Sequence, residues 1–412
     1  MTRAVVIGAG IAGVAAAAAV APSFDEVVVL DKDELPDGPR HRRGAAQDTQ
    51  VHILLKGGEL WLEQLLPGAR AGLLAAGAVE VRQAVDVSIW ERDAWQVARD
   101  LGHSQFLLSR PAYEHALRRC VLALGNVQIR DRTSVESLPT DADLVIVATG
   151  RGDRLMGDVD IPTTSLGIEV NYTSGRFAKP ARFRGERRFV ACIPLPPDDR
   201  YGLVCPVEND EWLITLCSRF DNKVPADFEG FRAHAASLPV PDIAERLAEA
   251  TLLGSLSSYR IARAAWRHFE RAADRLPQRV LPIGDCISSF NPTFGQGMSV
   301  AAGHAVALRE ALSTAKNLDH VAEIYLPKAA EVSGQAWAMA AATDLEYPRT
   351  EGERPVGFER MVQGSEAMRR AAALHPEVHL LRFEIGNMVK PNAAARSGPA
   401  ARLVAKEMLR PR

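Results

Sequence analysis

Cysteine is scarce in this 412-residue chain, with five in all (Cys120, Cys192, Cys205, Cys217, Cys286), an odd number and no C-x-x-C pair. That argues against a disulfide scaffold or a zinc site, assigns no metal, and fits a reducing, cytoplasmic compartment. An excess of charge of either sign is missing too. The net charge is −2 at pH 7, so neither nucleic acid nor an anionic membrane is a default partner. Only eight of the 49 basic residues are lysine, which reads as genome composition rather than function. No apolar run of about 18 residues is free of charges and helix breakers, so no transmembrane segment is expected. Internal repeats and low-complexity tracts are also lacking. Arg3 and the Ala-rich stretch up to Pro22 have the look of a secretory signal. Three glycines interrupt that stretch, however, and Val27-Val28-Val29-Leu30 follows directly, so strand, turn and helix explain it better.

What is present is ordinary globular composition, 47% hydrophobic and 24% charged, enough for roughly two to three domains. Residues 3–7 read as a buried strand, 11–21 as a helix and 26–30 as a second strand, a βαβ unit that implies a parallel sheet. A polar loop over 31–50 and a helical pattern over 52–66 follow, closed by Pro67-Gly68. Strand-like alternation covers 78–108, a helix runs from Pro111 to about Leu124, and strands are expected at 126–130 and 143–148. The segment 165–220 is β-rich and 227–250 helical. A buried strand at 279–283 leads to a long helix from near Gly295 to about Ala315. The remainder is helical except for a loop at 345–357. The expected class is therefore α/β. A Rossmann-like nucleotide-binding domain is discontinuous over 1–79, 106–164 and 265–344. A β-rich substrate domain (80–105 and 165–264) is inserted in it, and a helical region, 345–412, ends the chain.

Gly8-Ala9-Gly10-Ile11-Ala12-Gly13 is G-x-G-x-x-G between a strand and a helix, with Asp31 18 residues past Gly13 at the end of the next strand. The first glycine permits a tight turn, the second lets backbone approach a pyrophosphate, and the third lets helix and sheet pack closely. The helix N-terminus offers free N–H groups and partial positive charge to the phosphates. This motif leaves NAD and FAD both open. A second segment decides between them: a strand ends in Gly284-Asp285, and Phe290-Asn291-Pro292 precedes Gly295-Gln296-Gly297-Met298 at a helix start. On these residues the chain resembles the flavoprotein monooxygenases of the para-hydroxybenzoate hydroxylase type, in which this is the second FAD fingerprint. The 41–68 segment (Arg43-Gly44, Gln47, His52, Pro67-Gly68) and the Phe290–Met298 segment are similar in wording to bacterial natural-product monooxygenases and polyether epoxidases. The likeness covers about 1–315.

The resemblance implies a glutathione-reductase-like FAD domain with inserted substrate domain and C-terminal helices. It places FAD over Gly8, Gly10, Ile11, Ala12, Gly13, Asp31 and Lys32, with Asp285 on a ribityl hydroxyl. Backbone N–H groups around Gly295, Gln296, Gly297 and Met298 would face flavin N1 and O2, with Gly284 and Pro292 shaping that segment. It further implies Arg110 beside the ribityl chain or pyrophosphate, and Arg43, Gly44 and Gln47 in an arginine-rich loop over the flavin. Val135 matches a residue whose backbone meets the adenine. One departure stands out. Where the family carries Asp-Gly, this chain has Thr149-Gly150-Arg151-Gly152-Asp153-Arg154. The missing carboxylate leaves the docking of NAD(P)H open, while Thr149 and Gly150 resemble the flavin-contacting Ala-Thr-Gly of general flavoproteins. With no second G-x-G-x-x-G, NAD(P)H is expected only as a transient electron donor, or a separate flavin or electron-donor reductase takes its place.

The implied reaction is insertion of one oxygen from O2 into a small-molecule, natural-product-like substrate, by hydroxylation or epoxidation through a flavin C4a-hydroperoxide. The cofactor carries such chemistry, and no catalytic side chain is nominated. A geranylgeranyl-reductase-like enzyme and a flavin halogenase are the alternatives. The halogenases' Trp-x-Trp-x-Ile-Pro is absent, and Trp90 and Trp95 have the wrong spacing. Rab-escort and GDP-dissociation-inhibitor proteins use this architecture without flavin, but intact Gly8, Gly10, Gly13, Asp31, Gly284 and Asp285 argue against that here. His52, Trp90, Trp95, Tyr172, Tyr201, Trp212 and Phe290 are candidate pocket residues, each also explicable as plain packing. Residues 390–412 carry six basic side chains against Glu407, either a membrane-touching surface or a docked helix with a solvated face.

Overall fold

The computed structural model describes residues 1–152, 155–157, 159–193 and 196–410. Asp153 and Arg154 of the departing motif, and Arg412 of the basic tail, lie outside the described residues. The first sheet is fully parallel and ordered Val280–Pro282, Leu144–Val147, Arg3–Ile7, Glu26–Leu30, Val127–Arg130. All five strands are short, and all but the edge strand Val127–Arg130 are almost wholly buried, as strands covered on both faces must be. The Ala-rich helix Ile11–Val20 fits against it because small side chains allow close approach, and all but Ala12 of its ten residues are buried. The helix Gly297–Thr314 packs beside it, with Val321–Asp344 behind. No helix among the described residues is long and apolar enough to cross a membrane.

The second sheet has eight strands, ordered Ser288–Ser289, Thr251–Arg267, Thr163–Ala178, Glu211–Arg219, Arg200–Val207, Phe189–Ile193, Val87–Glu91, Ala94–Trp95. Besides segments of 80–105 and 165–264, it takes in residues 163–164, 265–267 and Ser288–Ser289. Its alternation sets two faces. Phe177, Trp212, Ile214, Leu216, Val190 and Val204 form one core with the helices Phe228–Ala236 and Asp242–Glu249. The opposite face carries Tyr172, paired across the sheet with Cys217 and Tyr259, and Tyr201, paired with Cys217. Ser174 and Thr215 form a hydrogen-bonded polar strip there. Gln50, in the loop before residue 52, bonds Ser174 and the Ser257 carbonyl, tying that loop to this face.

One expected element is shorter than its pattern. The helix placed over 52–66 begins at Lys56 and ends at Leu65. Leu55 is extended, and its N–H goes to Ser299 Oγ (3.0 Å) while the Gly57 N–H goes to the Asn387 carbonyl (2.8 Å). Bonds to the Gly297 helix and the C-terminal helices thus replace the first helical turn. The helices expected after 315 are present, including Phe358–Leu374, Pro376–Gly386 and Gly398–Met408.

A buried ion pair joins the second sheet to this helical layer. Arg219 donates to Asp344 Oδ1 (2.8 Å), Asn291 Nδ2 donates to the same oxygen (2.6 Å), and the Arg219 guanidinium lies over the Tyr347 ring at 4.3 Å. Removing one partner of such a pair strands a charge in the interior. Asp344→Ala should therefore cost about 3–5 kcal/mol. The urea midpoint should fall with unchanged slope, and Arg219→Met combined with Asp344→Leu should recover most of the loss. An unshifted midpoint in Asp344→Ala would show that the pair contributes nothing.

Candidate functional site

All five strands of the parallel sheet deliver a candidate segment at their C-terminal ends, where open α/β sheets bind ligands. Between Arg3–Ile7 and its helix, Gly8 has φ +108°, and a Cβ there would lie 2.5 Å from the Ala148 carbonyl oxygen. A Cβ on Gly13 would lie 1.7 Å from the Gly8 carbonyl oxygen. At Gly10 it would meet only the Arg42 guanidinium, 3.4 Å away, and Glu114 at 4.0 Å. Two glycines are thus demanded by backbone packing, whereas the middle one faces charged side chains. Asp31 is buried; its Oδ2 accepts the Ala9 N–H (2.6 Å) and its Oδ1 the Asp33 N–H (2.9 Å). Both oxygens keep a further lone pair. Backbone bonds from Arg132 to Asp33 and from Thr133 to Asp31 run the next loop alongside, with Val135 half-buried against the core. Ile11 is buried, while Lys32 is exposed.

Above Gly10 sits a cluster that sequence reasoning located only in part. Ser109 caps the helix Arg110–Leu122, whose Arg110, Glu114 and Arg118 share one face at i, i+4 spacing. Glu114 Oε1 accepts from Arg110 (2.9 Å), and its Oε2 from Arg42 (2.8 Å) and Arg118 (3.4 Å). Arg42 also reaches Asp33 Oδ2 (2.7 Å), which accepts the Gly44 N–H as well. Burial opposes a charge on Glu114, but Arg110 and Arg42 outweigh it and draw its pKa down to about 2. Burial and the neighbouring Arg110 charge push His52 down to about 3, so it is neutral, with Nδ1 bonded to the Gln50 carbonyl (3.0 Å). Arg43 is exposed with no bonded partner within the chain, while its neighbour Arg42 faces the glycine loop. The Arg-x-x-x-Glu-x-x-x-Arg spacing was the available clue to Glu114 and Arg118. Gln47 is half-buried, and its backbone carbonyl takes the Gln50 N–H.

The second glycine segment meets the first. Gly284 has φ +65°, and a Cβ there would stand 2.7 Å from Ala12 Cβ. Its N–H goes to His304 Nδ1 (3.2 Å), and His304 Nε2 bonds Ser333 Oγ (2.9 Å), which bonds Ser288 Oγ (2.9 Å). Burial drives His304 down to about 3, so it stays neutral. Cys286 Sγ lies 3.3 Å from the Gly150 carbonyl and 3.5 Å from Thr149 Oγ1, bringing Thr149 and Gly150 to the same corner. Asp285 is 36% exposed, with Arg151 Nε 3.5 Å from its Oδ2. Pro292 is exposed, Gly295 turns at φ +64° against Ile53, and Met298 is buried. A Cβ on Gly297 would meet nothing nearer than Asp285 Oδ1 at 3.8 Å. Gln296 is only 1% exposed, yet neither its side-chain oxygen nor its nitrogen has a partner.

Of the aromatic candidates, Tyr172 and Tyr201 share a cluster packed by Trp337, which Phe290 also touches. Tyr201 bonds Thr293 beside Gly295. Trp212 is core beneath the sheet's helices, and Trp90 pairs with Trp95 at the far edge, so these three stand away from the Gly295 turn.

An apolar aromatic wall, a neutral histidine, two open-sided glycines and buried arginines suit a bound, planar, anion-bearing dinucleotide. No protein-family model matches the chain. It is 30% identical to Protein Rv3254 of Mycobacterium tuberculosis (strain ATCC 25618 / H37Rv), over 88% of this chain and 86% of the relative. Many solved structures share its architecture. The flavin-dependent brominase Bmp2 aligns with TM-score 0.70 at 12% identity over 98% of each chain. 2-Methyl-3-hydroxypyridine-5-carboxylic acid oxygenase aligns with 0.64 at 18%, over 84% of this chain and 90% of that one. The Diels-Alderase PyrE3 of pyrroindomycin biosynthesis aligns with 0.64 at 17%, over 94% and 80%. At these identities the likeness shows the fold, which is the expected α/β class.

The Glu114 cluster generates a pH prediction. Its carboxyl sits near pKa 2 when folded and near 4.3 when unfolded. Its contribution is therefore present above about pH 4.3 and lost as the pH falls towards 2. Glu114→Gln should cost about 3 kcal/mol at pH 7, and its deficit against the parent should narrow steadily below pH 4. Chemical unfolding at pH 7, 4 and 3 measures this; a deficit that does not change with pH would refute the assignment.

Proposed function

The chain belongs to the same family as Protein Rv3254, whose name states no activity, and we propose for it the function its own site supports: an FAD-dependent monooxygenase acting on a small molecule. One observation carries this reading, the meeting of two glycine segments at Ala12 and Gly284, each open on one side at Gly10 and Gly297 and each beside a carboxylate, Asp31 or Asp285. Gly8 to Gly13 and the first turn of their helix would receive the pyrophosphate, with Arg42 and Arg110 as its nearest cations. Asp31 would take ribose hydroxyls on its remaining lone pairs, Val135 would border the adenine, and Asp285 would bond the ribityl chain. The Gly297 helix N-terminus would face the isoalloxazine, with Thr149 and Gly150 at its side. Gln296 supports this placement, since a buried amide without partners costs free energy unless a ligand completes it.

When bound, reduced flavin supplies the activation of O2 for transfer of one oxygen atom. The chain's own residues position and desolvate. The N–H groups of Gly297 and Met298 would stabilise negative charge on the ring. Tyr172, Tyr201 and Phe290 would wall off water on the substrate-sheet side, where ligands favour the interface of two layers. His52 would remain an uncharged hydrogen-bonding group throughout the neutral range. The finer reading is hydroxylation or epoxidation of a natural-product intermediate, with NAD(P)H as transient donor or a reductase partner delivering electrons.

Purified protein should carry or take up FAD and show its visible absorption. Asp31→Ala, which removes charge-assisted bonds of about 1.5–3 kcal/mol each, should weaken FAD retention by about tenfold or more. Aerobic turnover under 18O2 with candidate intermediates and reduced donor should yield products heavier by one labelled oxygen. A halide-dependent product would favour the halogenase alternative, and oxygen-independent loss of hydrogen or of a double bond the reductase one. Failure to bind FAD at tens of micromolar would overturn the reading altogether.

A further inference from the structure

Arg151, the residue that follows the departing Thr149-Gly150, is placed by the backbone rather than by its own packing. Gly150 turns the chain at φ +77°, and Cys286 holds the Gly150 carbonyl against the second glycine segment. The Arg151 side chain then spans that segment. Its Nε stands 3.5 Å from Asp285 Oδ2 and its NH2 donates to the Phe290 carbonyl at 3.1 Å. Asp285 Oδ1 is in turn the atom facing the open side of Gly297. The Arg151 side chain is 34% exposed, so it lies at the protein surface and not in the core. Burial pushes the Tyr172 phenol up and Cys217 adds to this, while the Arg151 charge pulls the other way, which puts the cation within electrostatic reach of the second sheet. Gln296, buried and unpartnered at the start of the same helix, is an independent sign that this corner receives a polar ligand.

We infer that Arg151 is a positioning residue that holds Asp285 beside the Gly297 helix and sets the reduction potential of the bound flavin by placing a positive charge near the ring. The inference rests on the flavin reading above. Where the family's Asp-Gly carries a carboxylate this chain has the neutral Thr149, two residues before the Arg151 cation. Reduction adds negative charge to the ring, so a cation at Arg151 favours the reduced form and raises the potential. The effect is electrostatic and partly exposed, hence moderate and salt-dependent.

The test compares parent, Arg151→Gln and Arg151→Lys, each loaded with FAD. FAD affinity is read by fluorescence, potential by equilibration with a redox dye, and folding by thermal melting. Arg151→Gln should melt with the parent and show about a tenfold lower reduced-to-oxidised ratio at fixed potential, about 30 mV more negative for a two-electron couple. Arg151→Lys should recover most of that shift, and added salt should shrink it. Loss of FAD from Arg151→Gln with retention in Arg151→Lys would also support the assignment, through Asp285. Equal potentials in parent and Arg151→Gln, or equal shifts in both variants, would overturn it. A parent that binds no FAD would overturn the flavin reading, an outcome visible before any variant is made.

Discussion

The candidate site depends on how closely two backbone turns approach each other. Gly284 lies against Ala12 with no room for a side chain, and Gly13 lies against the carbonyl of Gly8 with still less. These contacts bring the ends of three adjacent parallel strands into one corner, since the Thr149–Gly150 turn is held there through Cys286. A larger residue at any of these points would part the turns and separate Asp285, which follows one of them, from Asp31, which is bonded to the other at Ala9. Side chains come into the site only afterwards, reaching in from helices whose positions the turns have set.

The charges follow from that geometry. Arg42, Arg110 and Arg118 are buried or nearly so, and guanidinium groups out of water need carboxylates. Glu114 and Asp33 supply them. The network draws on two stretches of chain, so it also ties the 31–50 loop to the Arg110 helix. In contrast to this network, the buried side chain of Gln296 has no partner. Buried polar groups are normally satisfied, and on the proposed reading it is this amide that a bound ligand would complete.

Much of this was legible in the sequence. Short apolar runs marked the parallel strands, because a strand buried on both faces has nothing but core to meet. The glycine spacing marked both turns, because only glycine tolerates them. What escaped was set by distant partners. The first turn of the helix expected at 52 is lost to Ser299 and Asn387, neither of which local periodicity reports. Of the adjacent arginines, the wording singled out Arg43 and did not show that Arg42 is the one that pairs with Glu114, which only the fold brings to it. Trp90, Trp95 and Trp212 were eligible for a pocket by chemistry alone; strand register put them at an edge or in a core. The role of Arg151 was hidden because its partner, Asp285, lies far along the chain.

The order of the parallel sheet has a consequence for how the chain folds. Its strand Val280–Pro282 is an edge strand that pairs with Leu144–Val147, and five of the eight strands of the second sheet are encoded between them. Four strands can form from the first 147 residues, but the turn that faces Ala12 arrives only after the insertion has been made. Pairings of such sequence separation fold slowly, with an exposed strand edge in the interval. During synthesis the unfinished sheet would present Leu144–Val147 as that edge, all four of its residues apolar, until Val280 reaches it. Aggregation at that stage, rather than instability of the finished molecule, is the hazard this topology builds in.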